Sequence, residues 1–364
     1  MSGARRTGVL GVILVLVAAT FDAEPLYVPG VAFTLIAVAA AVWVIAGARG
    51  LQIQRTVPSR SVIEDEPVRI EIVVRAGVVA LPPGHIDDPL LPGPAPLAAG
   101  RRSSRVRIHA TFERRGRKLL APPRVVVADP FGLAERVVGT GSEQELLVLP
   151  AISPVRAVSA SGEGNALRLR AGRPWVTAEV EIDGLRPHQP GTAASRISWA
   201  ALARTGELME RRLRADTDTR PLIVLDPRCQ PGPEGLEGLD AAVRAVASLA
   251  VHLARQGGCS LLIPGDRRPA ALEETLQNWP RLHVRLALVQ PGGAPALSAH
   301  AGRRGPVVYV VARSVVRAPR ALAHATAGGR LLVVPGQIGG RAALFTVAGC
   351  SGYEISAATA AAVA

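Results

Sequence analysis

The sequence predicts a multidomain, membrane-anchored chain: two transmembrane helices, then a β-sandwich-like domain, then an α/β domain of Rossmann-like architecture. Three observations predict it. Two apolar runs fill residues 1–50. Short stretches alternating apolar and polar residues, separated by Pro/Gly-rich breaks, fill 51–150. From Leu222 onward, continuous apolar runs alternate with runs of helical periodicity. Residues 151–220 read as a linker, and 221–364 as the α/β domain.

The first apolar run spans 8–21 and follows Arg5 and Arg6; the second spans 26–48 and ends at Arg49. The first is near the lower length limit for a span and the second is comfortably long. Asp22 and Glu24 sit between them. Basic residues on the outer flanks predict a hairpin in the plasma membrane with both ends, and the domains that follow, on the cytoplasmic side. A cleaved signal peptide is the rival reading of the first run, given Ala18 and Ala19; the second run argues against it. Neither run carries a charge inside it, which points to an anchor rather than a conduction path.

In residues 51–150, Val68-Arg69-Ile70-Glu71-Ile72 and Val106-Arg107-Ile108-His109-Ala110 alternate with the two-residue period of a half-buried strand. Residues 51–57, 125–128 and 146–149 add further short strands. Residues 81–100 are too rich in Pro and Gly for an element and read as a loop. Residues 101–118 hold eight basic residues, either a charged strand edge that resists pairing or an anion or lipid-headgroup patch. His109 falls on the polar face. Asp129-Pro130-Phe131-Gly132-Leu133 is a turn in which Asp129 does ordinary turn chemistry. Phe131, a scarce aromatic, is expected to plug the end of the domain.

The α/β domain starts with the strand Leu222-Ile223-Val224-Leu225, apolar throughout as a strand covered on both faces requires. Leu236, Leu239, Val243, Val246, Leu249 and Leu253 recur at helical spacing, and Gly257-Gly258 ends that helix. The remaining expectations are a strand at 261–263, a helix at 272–279, a strand at 282–289, a strand at 307–311, a helix at 318–327, and a closing strand at 331–334. This alternation predicts a parallel sheet whose ligands bind at the carboxyl ends of its strands.

Composition narrows the function classes. The net charge of +13 comes almost wholly from arginine, but aromatics make up only 3% of the chain. Nucleic-acid binding through stacked bases therefore lacks its usual side chains. Cys229, Cys259 and Cys350 are far apart and odd in number, which is neither a disulfide framework nor a zinc site. There is no GxxxxGK[ST], GxGxxG, HExxH or GxSxG motif. No cofactor is implied. His252 lies in the long helix, where packing or partial exposure is its expected role.

The densest run of unusual residues is 184–226. It contains Leu185-Arg186-Pro187-His188-Gln189-Pro190-Gly191-Thr192, then Arg196-Ile197-Ser198-Trp199, then Ala203-Arg204-Thr205-Gly206-Glu207-Leu208. With Asp129-Pro130-Phe131-Gly132-Leu133 and Arg114-Arg115-Gly116, this pattern resembles the bacterial DUF58 family. The family pattern has a tyrosine, an aspartate and a lysine where this chain has His188, Thr192 and Ala200. The resemblance implies a membrane hairpin, a β-sandwich-like region and a von Willebrand factor A-like domain. It also implies a MoxR-type AAA ATPase as partner and a context of envelope assembly or maintenance. Read from the residues, Arg186, Arg196 and Arg204 suit bidentate contacts with carboxylates, while Pro190-Gly191 makes a turn and Trp199 supplies bulk. The segment either joins the two domains or binds a partner's acidic surface. Arg186, Pro190, Gly191, Arg196, Trp199, Arg204 and Gly206 are the candidate interaction residues.

Asp226 ends the first strand of the α/β domain. The von Willebrand A fold begins a metal site there as Asp-x-Ser-x-Ser, because a hard divalent cation needs oxygen ligands. This chain has Asp226-Pro227-Arg228-Cys229-Gln230: both hydroxyls are missing, and Arg228 brings a positive charge. The expectation is a non-enzymatic interaction scaffold without a functional metal. The alternatives are a divalent-metal-dependent binding module using Asp226, and a hydrolase using Asp226 or Cys229.

Overall fold

The computed structural model describes residues 2–139, 141–158, 182–187, 199–213, 220–297, 305–315, 322 and 329–355. The chain divides into two compact units, Met1–Val148 and Leu149–Ala364.

The first unit opens with α1 (Ser2–Phe21), a 3-10 turn (Glu24–Leu26) and α2 (Tyr27–Ala48). At 20 and 22 residues each is about 30 Å long, which matches a bilayer's hydrocarbon core. Both are long and apolar enough to cross a membrane. Their outer faces are exposed apolar surface, including Val9, Leu16, Phe21, Val28, Leu35 and Val42. Small residues let the two helices approach closely: a Cβ on Gly11 would meet the Gly30 carbonyl, and one on Gly30 would meet Val15. Thr34 Oγ1 donates to Gly30 O at 2.9 Å, satisfying its hydroxyl within the helix.

Ten strands follow: β1 (Gln52–Thr56), β2 (Ser61–Ile63), β3 (Val68–Arg75), β4 (Gly84–Asp87), β5 (Ala95–Pro96), β6 (Ser103–Ala110), β7 (Gly116–Leu120), β8 (Arg124–Ala128), β9 (Glu135–Gly139) and β10 (Gln144–Leu149). They form three sheets, β1-β3-β6, β2-β10-β7 and β5-β4-β8-β9. The alternation at 68–72 and 106–110 appears as β3 and β6, paired antiparallel with Ile70 opposite Ile108. One face of β3 serves two cores. Ile72 and Val74 pack with Ile86, Val125 and Val127 of the four-stranded sheet, and Ile70 packs with Val62, Leu146 and Val148 of the other three-stranded sheet. The first core also takes in Ala4, Ala40 and Val44 of the helices. Both basic strands, β6 and β7, are sheet edges, and His109 is exposed.

Two expectations here are corrected. Residues 81–100 contain β4 and β5, with β4 in full antiparallel register against β8. Pro82 and Pro83 precede this strand, and within it only its first residue, Gly84, is a Pro or Gly. Gly84 (φ +157) permits a backbone approach to the Val126 carbonyl that a Cβ would block. Phe131 plugs nothing; it is 73% exposed. Asp129 organises the turn instead, accepting from Phe131 N–H (2.9 Å) and Ala134 N–H (2.6 Å), so the aromatic ring is left outside.

The second unit comprises β11 (Arg156–Ala157), β12 (Ile182–Pro187), α3 (Trp199–Thr205), β13 (Met209–Leu213), β14 (Leu222–Asp226), α4 (Pro233–Ala254), β15 (Cys259–Leu262), β16 (Ala270–Leu272), α5 (Trp279–Ala287), β17 (Val307–Val311), β18 (Arg330–Pro335), β19 (Phe345–Val347) and β20 (Cys350–Glu354). Eight of its strands form one sheet of order β11-β19-β20-β18-β17-β14-β15-β16. The centre, β18-β17-β14-β15, is parallel, as the continuous apolar runs require. The sheet as a whole is mixed: β16, β20, β19 and β11 join antiparallel. One face packs against α4 and α5, which contribute Leu239, Val243, Val246, Leu249, Leu282 and Leu286. The other buries Leu222, Val224, Tyr309, Leu332 and Tyr353 with Leu297 and Leu322.

The expected helix at 272–279 and strand at 282–289 are also corrected. Residues 270–272 are β16, and the helix is α5, starting at Trp279 with Pro280 in its first turn. Leu282, His283, Leu286 and Ala287 are its buried face. The strand at 331–334 does not close the series, since the β19–β20 hairpin follows it. Of the helix expected at 318–327, only Leu322 lies within the described residues.

Candidate functional site

Two places carry the sequence-predicted residues, both in the second unit. The first is the signature segment. β12 and β13 pair as a separate two-stranded antiparallel ribbon, with Arg186 opposite Glu210 and Leu185 opposite Arg211. α3 lies between them in sequence. It is short, and it ends where Gly206, at φ +72, takes the left-handed cap position and donates its N–H to Leu202 O at 2.9 Å. Ala201 is the buried side of α3. Trp199 (62%) and Leu208 (40%) are exposed, as is Arg204. Trp199 and Arg204 thus lie on one short helix that Gly206 caps, with Arg186 on the neighbouring ribbon. Pro190, Gly191 and Arg196 lie outside the described residues, as do His188 and Thr192.

The second place is the carboxyl end of β14. Asp226 is buried, with only 1% of its side chain exposed. Arg228, two residues on, folds back over it. Arg228 Nε donates to Oδ1 (2.9 Å) and Oδ2 (3.1 Å), Nη2 donates to Oδ2 (2.6 Å), and the backbone N–H donates to Oδ1 (3.2 Å). From β17, the Tyr309 hydroxyl donates to Oδ2 at 2.9 Å. The same corner is fixed by the backbone, where Ala312 N–H meets Asp226 O.

The electrostatics follow from this geometry. Burial alone would push the Asp226 carboxyl up, but the hydrogen bonds from Arg228 and Tyr309 outweigh it and hold the group below its ordinary value. Burial, reinforced by the carboxylate, pushes Tyr309 up. The carboxylate is thus ionised, and its charge is met by a cation of the same chain. A divalent ion at Asp226 has to displace that guanidinium first. Among the described residues no group of three His, Cys, Asp or Glu side chains is placed to hold a metal ion.

Nucleophiles are poorly placed. Cys259 and Cys350 are buried, and burial pushes each thiol up to about 12, so neither supplies thiolate at neutral pH. Cys229 is half-buried against the core that α4 covers.

Three features had no sequence signal. In the first unit Arg55 is fully buried on β1 and binds Asp88, Gln144 and two carbonyls. In the second, His283 on α5 is buried, stacks on Trp279 (centroids 4.7 Å apart) and lies 2.8 Å from Pro150 O. Burial holds its pKa below the ordinary value despite that carbonyl. Third, the end of α4 and residues 152–155 frame a groove of about 400 Å³ beside His252, Arg255 and Gln256. His252 lies 3.0 Å from Gln256; burial and the nearby Arg255 lower its pKa. No model of a known protein family matches the chain, and no curated protein matches it significantly.

Proposed function

We propose that this chain is a non-enzymatic, membrane-anchored interaction module. In this reading the α1–α2 hairpin sits in the plasma membrane with both soluble units on the cytoplasmic side, and the α/β unit is a von Willebrand A-like domain whose metal corner has been lost. What supports the loss is Arg228: its guanidinium takes both oxygens of the one carboxylate at the strand end. What supports a binding role is that Trp199 and Arg204 of α3 are both exposed, since Trp and Arg carry much of the energy of protein interfaces.

The partner is a MoxR-type AAA ATPase and the context is envelope assembly or maintenance; both come from the resemblance of the 184–208 motif to the DUF58 family. Crosslinking followed by capture of the full chain from membranes tests this. The expected result is an AAA ATPase recovered with the wild type and lost with Trp199→Ala/Arg204→Ala. Its absence from the wild-type capture overturns the assignment. The two other readings, a metal-dependent binding module and a hydrolase, both require a free Asp226 or a reactive Cys229. Clear heat on calorimetric titration with magnesium or manganese supports the first, and activity lost in Asp226→Ala supports the second.

A further inference from the structure

Outside the helices of the first unit, the exposed large apolar side chains include Val78 and Phe131 (73% each), Leu119 (70%), Val137 (61%) and Val79 (40%). Val78, Val79 and Phe131 lie beside junctions with the helical hairpin. Ala4 N–H donates to Leu133 O at 2.6 Å, which ties the 129–133 turn to the start of α1. Val78 N–H donates to Arg49 O at 3.3 Å, which ties the 77–79 loop to the end of α2. A Cβ on Gly77 would strike the Arg49 and Gly50 backbone, so this contact is close-packed. Because α1 and α2 are antiparallel, these junctions lie at the same end of the hairpin, and Asp22 and Glu24 lie at the other.

Arginines ring that end. Arg5 and Arg6 follow Ala4 directly, Arg49 caps α2, and all three are exposed. Arg101 and Arg102 are exposed too. They are held beside the 77–81 loop by Ala76 N–H to Arg102 O, Leu81 N–H to Arg101 O, and the Arg102 guanidinium to Gly77 O (3.3 Å). Next to Arg5 and Arg6 along α1, Val9, Leu10 and Ile13 are exposed. Cationic side chains above an apolar stretch suit an anionic headgroup and the first carbons of its acyl chain. Apolar side chains exposed at this level cost little if they rest in the interfacial zone of a bilayer.

We propose that the 77–79 loop and the 129–133 turn, together with Arg5, Arg6, Arg49, Arg101 and Arg102, form a collar that docks onto anionic phospholipid at the foot of the hairpin. This rests on the hairpin being a membrane anchor. The collar seats the β-rich unit on the membrane surface. Guanidinium groups supply the attraction to phosphate, and Phe131, Val78 and Val79 enter between the headgroups.

The test uses the full chain carrying Cys229→Ser, with one fluorophore-labelled cysteine at a time, reconstituted into vesicles holding a shallow lipid-borne quencher. Vesicles of phosphatidylglycerol mixed with phosphatidylcholine are compared with phosphatidylcholine alone. Val78→Cys and Phe131→Cys are the reporters. Leu119→Cys is the exposed control on β7, and Val38→Cys in α2 monitors insertion with a deep quencher. The expected result is loss of emission at 78 and 131 but not at 119, with the loss reduced in neutral vesicles and in Arg101→Gln/Arg102→Gln. Labels at 78 and 131 as unquenched as the one at 119 overturn the collar. Equal quenching in neutral and anionic vesicles overturns the anionic-lipid assignment. An unquenched label at 38 overturns the anchor and the collar with it.

Discussion

Arg55 Nη1 lies 3.0 Å from Asp88 Oδ2, and neither side chain is exposed to solvent. Every guanidinium nitrogen donates: Nη1 also to Ala121 O (2.9 Å), Nη2 to Leu120 O (3.1 Å) and Nε to Gln144 Oε1 (3.0 Å). Asp88 Oδ1 in turn accepts from Leu90 N–H. One side chain therefore links β1, the end of β7, β10 and the loop after β4, drawing on all three sheets of the first unit.

Removing one partner strands the other in a dry interior. Asp88→Ala is expected to destabilise the first unit by about 3–5 kcal/mol, read as a shift of the denaturant midpoint in detergent. Arg55→Met/Asp88→Leu is expected to recover part of that loss, because the double change leaves no buried charge. Full recovery is not expected, since the Leu120 and Ala121 carbonyls lose their donor. An Asp88→Ala midpoint within error of wild type refutes the network's role.

Asp226 links the α/β unit to acid. Its folded pKa lies below the unfolded value of about 3.9. The stabilisation is therefore complete above that unfolded value and is lost as pH falls through the folded one. Tyr309→Phe removes one donor to the carboxylate, at a cost of about 1.5–3 kcal/mol. Its acid-unfolding midpoint is expected at higher pH than wild type, as followed by circular dichroism. An unchanged midpoint counts against the Tyr309 bond.

His283 works in the same sense, but nearer neutrality. Its folded pKa is lowered from 6.5, so between the two values the unfolded chain binds more protons, and stability falls as pH drops below about 6.5. His283→Gln is expected to flatten stability across this window. A proton NMR titration of the wild-type ring with a midpoint at or above 6.5 contradicts the assignment.

Trp199 and Arg204 are exposed on α3. Trp199→Ala/Arg204→Ala is expected to leave the unfolding midpoint unchanged, because surface truncations remove little buried area, while abolishing partner capture. A large fall in midpoint assigns these residues a structural role instead.

Much of the fold is legible because its strands carry one of two patterns. Alternation in Val68-Arg69-Ile70-Glu71-Ile72 reports one buried face, and the unbroken run of 222–225 reports two. Illegible elements have ambiguous or non-local signals. Leu282, Val284, Leu286 and Leu288 alternate as a strand does, yet only Leu282 and Leu286 of these are buried, on a helical face. Trp279-Pro280, a helix-start signal, was the clue that decides between them. β4 exists because β8 pairs with it, which nothing within 81–100 announces. Arg55 occupies an inward slot of β1 that alternation assigns to an apolar residue, and its partner lies in a loop 33 residues away. At the candidate site, the Asp226–Arg228 contact follows from adjacency in sequence. Tyr309 joins it only through the parallel register of β14 with β17.

The large sheet is completed by its most distant pieces. β11, at the beginning of the second unit, pairs among the described residues with β19 alone, near its end, while Ser153 N–H binds Ser248 Oγ and Val155 packs on the α4 side. During synthesis the first strand made must therefore wait for one of the last, so the sheet cannot finish forming until nearly the whole unit has left the ribosome. A fragment beginning at residue 221 carries the parallel centre but leaves β19 an open edge, free to recruit a strand from another molecule.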